Sequence, residues 1–152
     1  MKAAFLALLL FSTLALGQER SKGDTLYLPI YSHIWHGDIG RDGKPTKTLM
    51  SVSVSIRNTD PSSAIRMISA LYYDTDGKKL KEYVTKANTI GPMGTDELFI
   101  ARSDDRGGSG ANFVIVWSAD APVSPPIVEA VHANLPGGRS IVFTTSARRI
   151  PQ

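Results

Sequence analysis

The sequence predicts an all-β protein: an antiparallel β-sandwich of about seven or eight strands, immunoglobulin-like or similar, with a small β-barrel as the alternative. Three observations predict this fold class. Short segments alternate apolar and polar residues, turn signals recur about every ten residues, and no segment has the periodicity of an amphipathic helix. No internal repeat or linker divides the chain. Residues 18–152 are therefore expected to form one domain.

The individual strands follow from these local patterns. A polar lead at 18–24 precedes alternating apolar residues at 26–30, and the clearest strand runs from Met50 to Ile56, where apolar residues alternate with serines. The Asp-Gly pair at 76–77 suits the positive φ of a hairpin turn. Residues 127–132 suit either a strand or a short helix after the prolines. The remaining strands are predicted over 65–73, 79–84, 97–101, 112–117 and 140–145.

The first seventeen residues are predicted to be a signal peptide. A positive start at Lys2 precedes an apolar run, and small residues at Ala15 and Gly17 suit cleavage before Gln18. The apolar run is short for a bilayer span. The chain has no cysteine, so neither a lipid anchor nor a disulfide is expected. The protein is therefore predicted to be periplasmic or secreted, with no stable membrane span after cleavage.

Composition excludes several function classes. The formal net charge is only +3 at pH 7, which is too small to indicate a nucleic-acid partner. Without cysteine, a thiol nucleophile and a cysteine metal site are ruled out. No Gly-x-Ser-x-Gly nucleophile motif is present. No catalytic residue is therefore assigned, and a non-catalytic role is favoured although an enzyme is not excluded at this point.

Three histidines form the candidate metal site: His33, His36 and His132. Imidazole nitrogens bind zinc and copper, and Asp38 or Glu129 could complete such a site. If residues 31–36 continue as a strand, however, the side chains of His33 and His36 point to opposite faces. The alternative is that these histidines only bond loop backbone or lie exposed. No cofactor is expected beyond this candidate zinc or copper.

The glycine-rich segment 103–110 is a second candidate site. Its carboxylates, Asp104 and Asp105, could bind calcium, and its exposed amides could bind an anion. The residue order does not match a calcium loop, and glycines before a strand more often mark a tight turn. Aromatic residues at 72, 73, 83 and 117 could line a sugar or peptide groove, although aromatic residues on strands more often pack in the core or against cross-strand neighbours.

Several runs of the sequence together resemble a bacterial family called domain of unknown function 3124. The most specific run is Gly-Gly-Ser-Gly-Ala-Asn-Phe at 107–113; the others lie at 28–34, 55–60, 72–78 and 126–131. The resemblance implies no established activity or cofactor. It does direct attention to the polar residues within or near these runs, which we take as candidate ligand-binding residues: His33, Asp60, Asp104, Asp105, Asn112 and Glu129.

The leading functional hypothesis is a non-catalytic binding module of the bacterial envelope, whose partner is a protein, a peptide or a glycan. Fold alone does not decide this, but export, strand patterning and the lack of a catalytic motif favour it. The first alternative is a histidine-based metal-binding protein. The second is a hydrolase that uses Asp104, Asp105 or Glu129.

Overall fold

The computed structural model describes residues 19–135, 137–138 and 140–151, and these residues form strands and no helix, which confirms the all-β prediction. The predicted signal peptide over 1–17 lies outside the described residues. Within the described ranges, no helix is long and apolar enough to cross a membrane. The strands, in chain order, are β1 (Ser21–Ile30), β2 (His33–His36), β3 (Thr46–Leu49), β4 (Ser51–Arg57), β5 (Ile65–Tyr73), β6 (Lys79–Glu82), β7 (Asn88–Ile90), β8 (Thr95–Ile100), β9 (Ala111–Val123), β10 (Ile127–Asn134), β11 (Ile141–Ser146) and β12 (Arg148–Arg149).

The strands form two main antiparallel sheets and a separate hairpin. Sheet I has the order β12-β1-β9-β5-β6, with β7 also paired to β5, and sheet II has the order β11-β10-β4-β8. Strands β2 and β3 pair only with each other. No closed barrel forms among the described residues, so the sandwich-like alternative of the fold prediction is the correct one.

The core lies between the two sheets because alternate side chains of each strand point inward. In β4 the apolar residues Val52, Val54 and Ile56 are buried, whereas the serines between them lie on the other face. The central strand of sheet I, β9, buries large side chains in the same alternating way. Each such side chain contributes roughly 1.5–3 kcal/mol on burial. The core residues of β9 are Ala111, Phe113, Ile115, Trp117 and Ala119.

The strand boundaries differ from the sequence expectations in several places. The polar lead is partly ordered, since β1 begins at Ser21 and pairs with Val123 of β9. Strand β9 is longer than predicted, and the ambiguous segment after the prolines is strand β10. Strand β3 was not predicted because its sequence, Thr-Lys-Thr-Leu, is short and mostly polar.

Candidate functional site

The glycine-rich run before β9 is a structural corner. The backbone N–H and hydroxyl of Ser32 both donate to the Gly108 carbonyl, at 3.0 Å each. The backbone N–H and hydroxyl of Thr75 donate to the Gly107 carbonyl, also at 3.0 Å. A Cβ on Gly107 would overlap the Tyr72 hydroxyl. The run therefore ties the end of β1 to the β5–β6 hairpin, and its two carbonyls are used within the fold.

His33 begins β2 beside this corner and is buried. Its ring packs edge-on against Trp35, with 5.0 Å between ring centroids. Burial lowers the pKa of His33, nearby Lys47 lowers it further, and Asp105 partly opposes this. Its Nδ1 atom has no hydrogen-bond partner among the described residues. His33 is therefore a neutral histidine in a mainly apolar contact.

The two carboxylates of the glycine-rich segment are each occupied by a cation. Asp104 accepts two hydrogen bonds from Arg106, both at 2.7 Å, and this lowers the Asp104 pKa. Asp105 accepts from Lys47 Nζ at 2.6 Å, which lowers the Asp105 pKa. Nowhere in the described ranges do three His, Asp or Glu side chains come close enough to hold a metal ion. The pairing leaves each carboxylate charged and neutralised by its own partner.

His36 lies on the opposite face of the β2–β3 hairpin from His33. Its Nε2 atom is 2.8 Å from the Thr48 hydroxyl, and the side chain is exposed. The opposite orientation follows from their odd separation along one strand. The hairpin therefore does not bring these two imidazoles together.

His132 lies inside the sandwich on β10, in a different sheet from the β2–β3 hairpin that carries His33 and His36. It is fully buried, and its Nε2 atom accepts a hydrogen bond of 3.1 Å from the Tyr31 backbone N–H. Its ring stacks on Phe143 with 4.5 Å between centroids. Burial lowers the His132 pKa to about 4, although backbone groups of Phe143 and Ala130 act in the opposite direction. The structure therefore uses His132 as a neutral link between sheet II and the end of β1.

Asp60 organises the turn after β4. Its buried carboxylate accepts hydrogen bonds from the backbone N–H groups of Ser62, Ser63 and Ser124, at 2.9 to 3.2 Å. These bonds, the Ser62 bond first, lower the Asp60 pKa to about 2, while burial acts in the opposite direction. Arg20 adds an ion pair of 2.9 Å. Asp60 is therefore fully engaged in holding loops together.

The last two candidates, Asn112 and Glu129, lie in different sheets. Asn112 is on β9, opposite Pro29 on one side and Tyr73 on the other. Glu129 is on β10, where it pairs with Arg57 at 2.7 Å. Of the predicted ligand-binding residues, His33, Asp104 and Asp105 thus gather near the glycine corner, whereas the others are dispersed.

Most of the predicted aromatic groove is core. Tyr72 is fully buried, and Trp117 is 1% exposed. Phe113 lies 5.1 Å from the rings of both Tyr72 and Tyr83, measured between centroids. Burial raises the pKa of both tyrosines. These rings form an inward-facing cluster, so only Tyr73 of the set lies on the outer face of sheet I.

A surface cleft of about 460 Å³ lies at one side edge of the sandwich. We call it the edge cleft. It lies where β1 and β12 of sheet I approach β10 and the end of β11 in sheet II. Its lining combines apolar side chains with charged groups of both signs. The lining residues are Glu19, Arg20, Ser21, Asp24, Leu26, Pro125, Pro126, Ile127, Val128, Glu129, Ser146, Ala147 and Arg149.

The charged rim of the edge cleft is built from ion pairs. Arg149 pairs with Asp24 at 2.6 Å, and the rim residue Glu129 pairs with Arg57 just outside. The guanidinium of Arg149 and the carboxylate of Glu129 stay partly exposed, at 71% and 38% of their side chains. The cleft therefore offers both charge signs to a ligand.

Sequence reasoning found only Glu129 among the cleft residues. The lining comes from three segments, 19–26, 125–129 and 146–149. The pairing of β12 with β1 joins the first segment to the last over two residue pairs, and the Arg149–Asp24 ion pair joins them as well. A two-residue strand has no periodicity to detect, so no signal in the sequence could have located the cleft.

An antiparallel, sandwich-like β-domain with a charged edge cleft is thus the class of protein that the fold and surface define. The sequence matches the family described as "Protein of unknown function (DUF3124)" over residues 23–150. The chain belongs to this family, which confirms the resemblance. No curated protein matches the sequence. Among solved structures, "Crystal Structure of Thermotoga maritima 1070" is similar, with 13% identity and a TM-score of 0.43 over 82% of this chain and 92% of that chain.

Proposed function

We propose that this protein is an exported, non-catalytic binding module of the bacterial envelope, and that its edge cleft takes an extended segment of a peptide or protein partner. The observation that carries this proposal is the cleft itself: about 460 Å³, at the sandwich edge, lined by apolar side chains and by charged groups of both signs. Such a lining suits the mixed side chains of a polypeptide.

A peptide is favoured over a glycan because the edge cleft has no aromatic ring among its lining residues. Sugar-binding grooves usually present an aromatic face to the sugar, as the amphipathic character of such rings allows. The proline and isoleucine side chains among the lining residues instead match apolar peptide side chains. The exposed guanidinium of Arg149 can pair with an acidic group of the peptide, and the exposed carboxylate of Glu129 can pair with a basic one.

The non-catalytic part of the proposal rests on the state of the carboxylates. Asp60, Asp104 and Asp105 each accept hydrogen bonds that keep them ionised, with lowered pKa values. A general acid needs a pKa raised toward the working pH. None of these carboxylates is prepared for that role, so a hydrolase built on them is disfavoured.

Export rests on the amino-acid pattern of residues 1–17. Fractionation of the native host, followed by mass spectrometry of the purified protein, tests it. The expected N-terminal residue is Gln18, in the periplasmic or extracellular fraction. A cytoplasmic protein that retains Met1 or begins at Lys2 would refute export without affecting the binding proposal.

The cleft is tested by photocrosslinking in living cells. A benzoylphenylalanine replaces Ile127, which lines the cleft and is 48% exposed. The matched control replaces Phe99, which is 60% exposed on β8 at the other edge of sheet II. We expect a discrete adduct with one partner from position 127 and none from position 99.

Two results would contradict the cleft as the binding site. One is the absence of any adduct from position 127 at normal expression. The other is an equally strong adduct from both positions, since Phe99 is not among the residues that line the cleft.

A further inference from the structure

Strand β11 is an edge strand of unusual composition. Its sequence, Ile-Val-Phe-Thr-Thr-Ser over 141–146, has no charge and no proline. It pairs with β10 on one side, and no backbone hydrogen bond reaches its other side from any described residue. An unpaired row of backbone donors and acceptors is a template for another strand, which proteins usually block with charges or proline.

The other edges of the two sheets have such protection. Strand β8, at the far edge of sheet II, contains Asp96 and Glu97, and β6 contains Lys79 and Lys81. Strand β12 is two arginines, and β7 is only three residues long. Among the described edge strands of the two sheets, β11 is thus the one that combines a length of six residues with the absence of charged side chains.

The outer face of sheet II beside β11 is apolar. Val142 is 56% exposed and lies opposite Ala133 of β10, and the exposed Val131 lies opposite Thr144. Thr145, on the inner face, donates a hydrogen bond of 2.7 Å to the Pro29 carbonyl, which holds the strand against β1. Strand β11 is therefore held in place against β1, and a small apolar surface lies beside it on the outer face of sheet II.

We infer that β11 pairs antiparallel with β11 of a second copy of this chain, giving a twofold dimer with one continuous sheet. A second copy is the occupant we choose because of charge. The strand has no charged group that could select or steer a foreign ligand, and self-pairing places no like charges opposite each other over 141–146. Small uncharged edges of this kind suit a symmetric, isologous contact.

The register of the dimer follows from the pleat. Opposite residues of an antiparallel pair share a face, so a twofold axis passes through one residue position. An axis at Thr144 sets that threonine opposite its own copy and sets Val142 opposite Ser146. Threonine pairs are favourable cross-strand neighbours. This register also brings the second copy's β11 beside Ser146, a lining residue of the edge cleft.

The first test measures the mass of the purified protein by light scattering during gel filtration, over a range of concentrations. The wild type is expected at twice the monomer mass. Thr144→Lys sets two ammonium groups face to face at the axis, so this variant is expected at the monomer mass. Phe99→Lys adds the same charge at the opposite edge and is expected to stay dimeric. Circular dichroism verifies that both variants fold.

The second test uses the lack of cysteine in the chain. Thr144→Cys sets two thiols within disulfide reach across the axis, so mild oxidation is expected to give a covalent dimer, whereas Phe99→Cys is not. A monomeric wild type at every concentration overturns the inference. So does a dimer that survives Thr144→Lys, or one that is lost in Phe99→Lys. Covalent dimers from position 99 but not from position 144 would also overturn it.

Discussion

The pH dependence of stability should report on His132. Its Nε2 atom accepts the Tyr31 backbone N–H, so the neutral ring carries its proton on Nδ1. Protonation of Nε2 would break that bond and leave a charge in an apolar pocket beside Phe143. The folded-state pKa, about 4, lies below the ordinary histidine pKa of 6.5. The unfolded chain therefore binds the proton first as the pH falls.

The sign and size of the effect follow from linkage. Stability from this group is fully present above pH 6.5, falls as the pH drops toward 4, and is constant below that. For these two pKa values the loss at pH 4.5 is at most about 2 to 3 kcal/mol. Asp60 does not interfere, because its folded pKa of about 2 keeps it ionised throughout this range.

The assay compares the wild type with His132→Gln by urea denaturation at pH 7 and pH 4.5, followed by the fluorescence of the buried Trp117. Glutamine can still accept the Tyr31 N–H but cannot titrate, and it loses the ring stacking, worth about 1 kcal/mol. We expect the variant to be the less stable protein at pH 7 and at least as stable as the wild type at pH 4.5. Equal losses in both proteins between these pH values would refute the reasoning.

Three further outcomes are expected. Gly107→Ala should destabilise the fold by about 1–3 kcal/mol, because its Cβ meets the Tyr72 hydroxyl. The control Gly91→Ala, where nothing lies within 4 Å, should unfold in urea like the wild type. Equal urea midpoints for the two variants would contradict the close packing at Gly107. Asp60→Asn should lower the melting temperature at pH 7 far more than Asp120→Asn, whose side chain is 86% exposed. The stabilisation that Asp60 provides is present above pH 3.8 and lost as the pH falls through 2. An Asp60→Asn variant whose stability falls in acid as much as that of the wild type would therefore contradict this role of Asp60. Mass spectrometry of the native protein should find no stoichiometric zinc or copper, since no described cluster supplies three ligands; one metal per chain would reverse this.

The strand pattern was predictable where burial is one-sided. In β4 the alternation of valine and serine reads directly as a core face and an outer face, and the structure has that alternation over Ser51–Arg57. Prediction failed where pairing depends on distant partners. Strand β3 has no apolar period of its own and exists because Thr46–Leu49 pairs with His33–His36. The ambiguous segment after the prolines is a strand because β4 and β11 flank it.

Polar candidates were harder to judge, because sequence shows residue types without their partners. Asp60 and Asp104 resemble ligand-binding carboxylates in the sequence, yet both are occupied by hydrogen bonds within the fold. His132 resembles a metal ligand, yet its ring lies between aromatic rings and a backbone N–H. A long-range contact decided each case, and composition or spacing does not report such contacts.

The most specific part of the family resemblance, the glycine-rich run, has a purely architectural explanation. Its Gly107 carbonyl accepts a hydrogen bond from the Thr75 hydroxyl, and its Gly108 carbonyl accepts one from the Ser32 hydroxyl. Its close packing also excludes side chains. In this chain the run fixes how the end of β1 meets the β5–β6 hairpin, and membership of the family does not by itself define a ligand. The edge cleft differs in this respect, because Arg149 and Glu129 keep exposed polar groups after forming their ion pairs. Groups that the fold leaves accessible are the ones a partner can use, so the search for that partner should begin at the cleft.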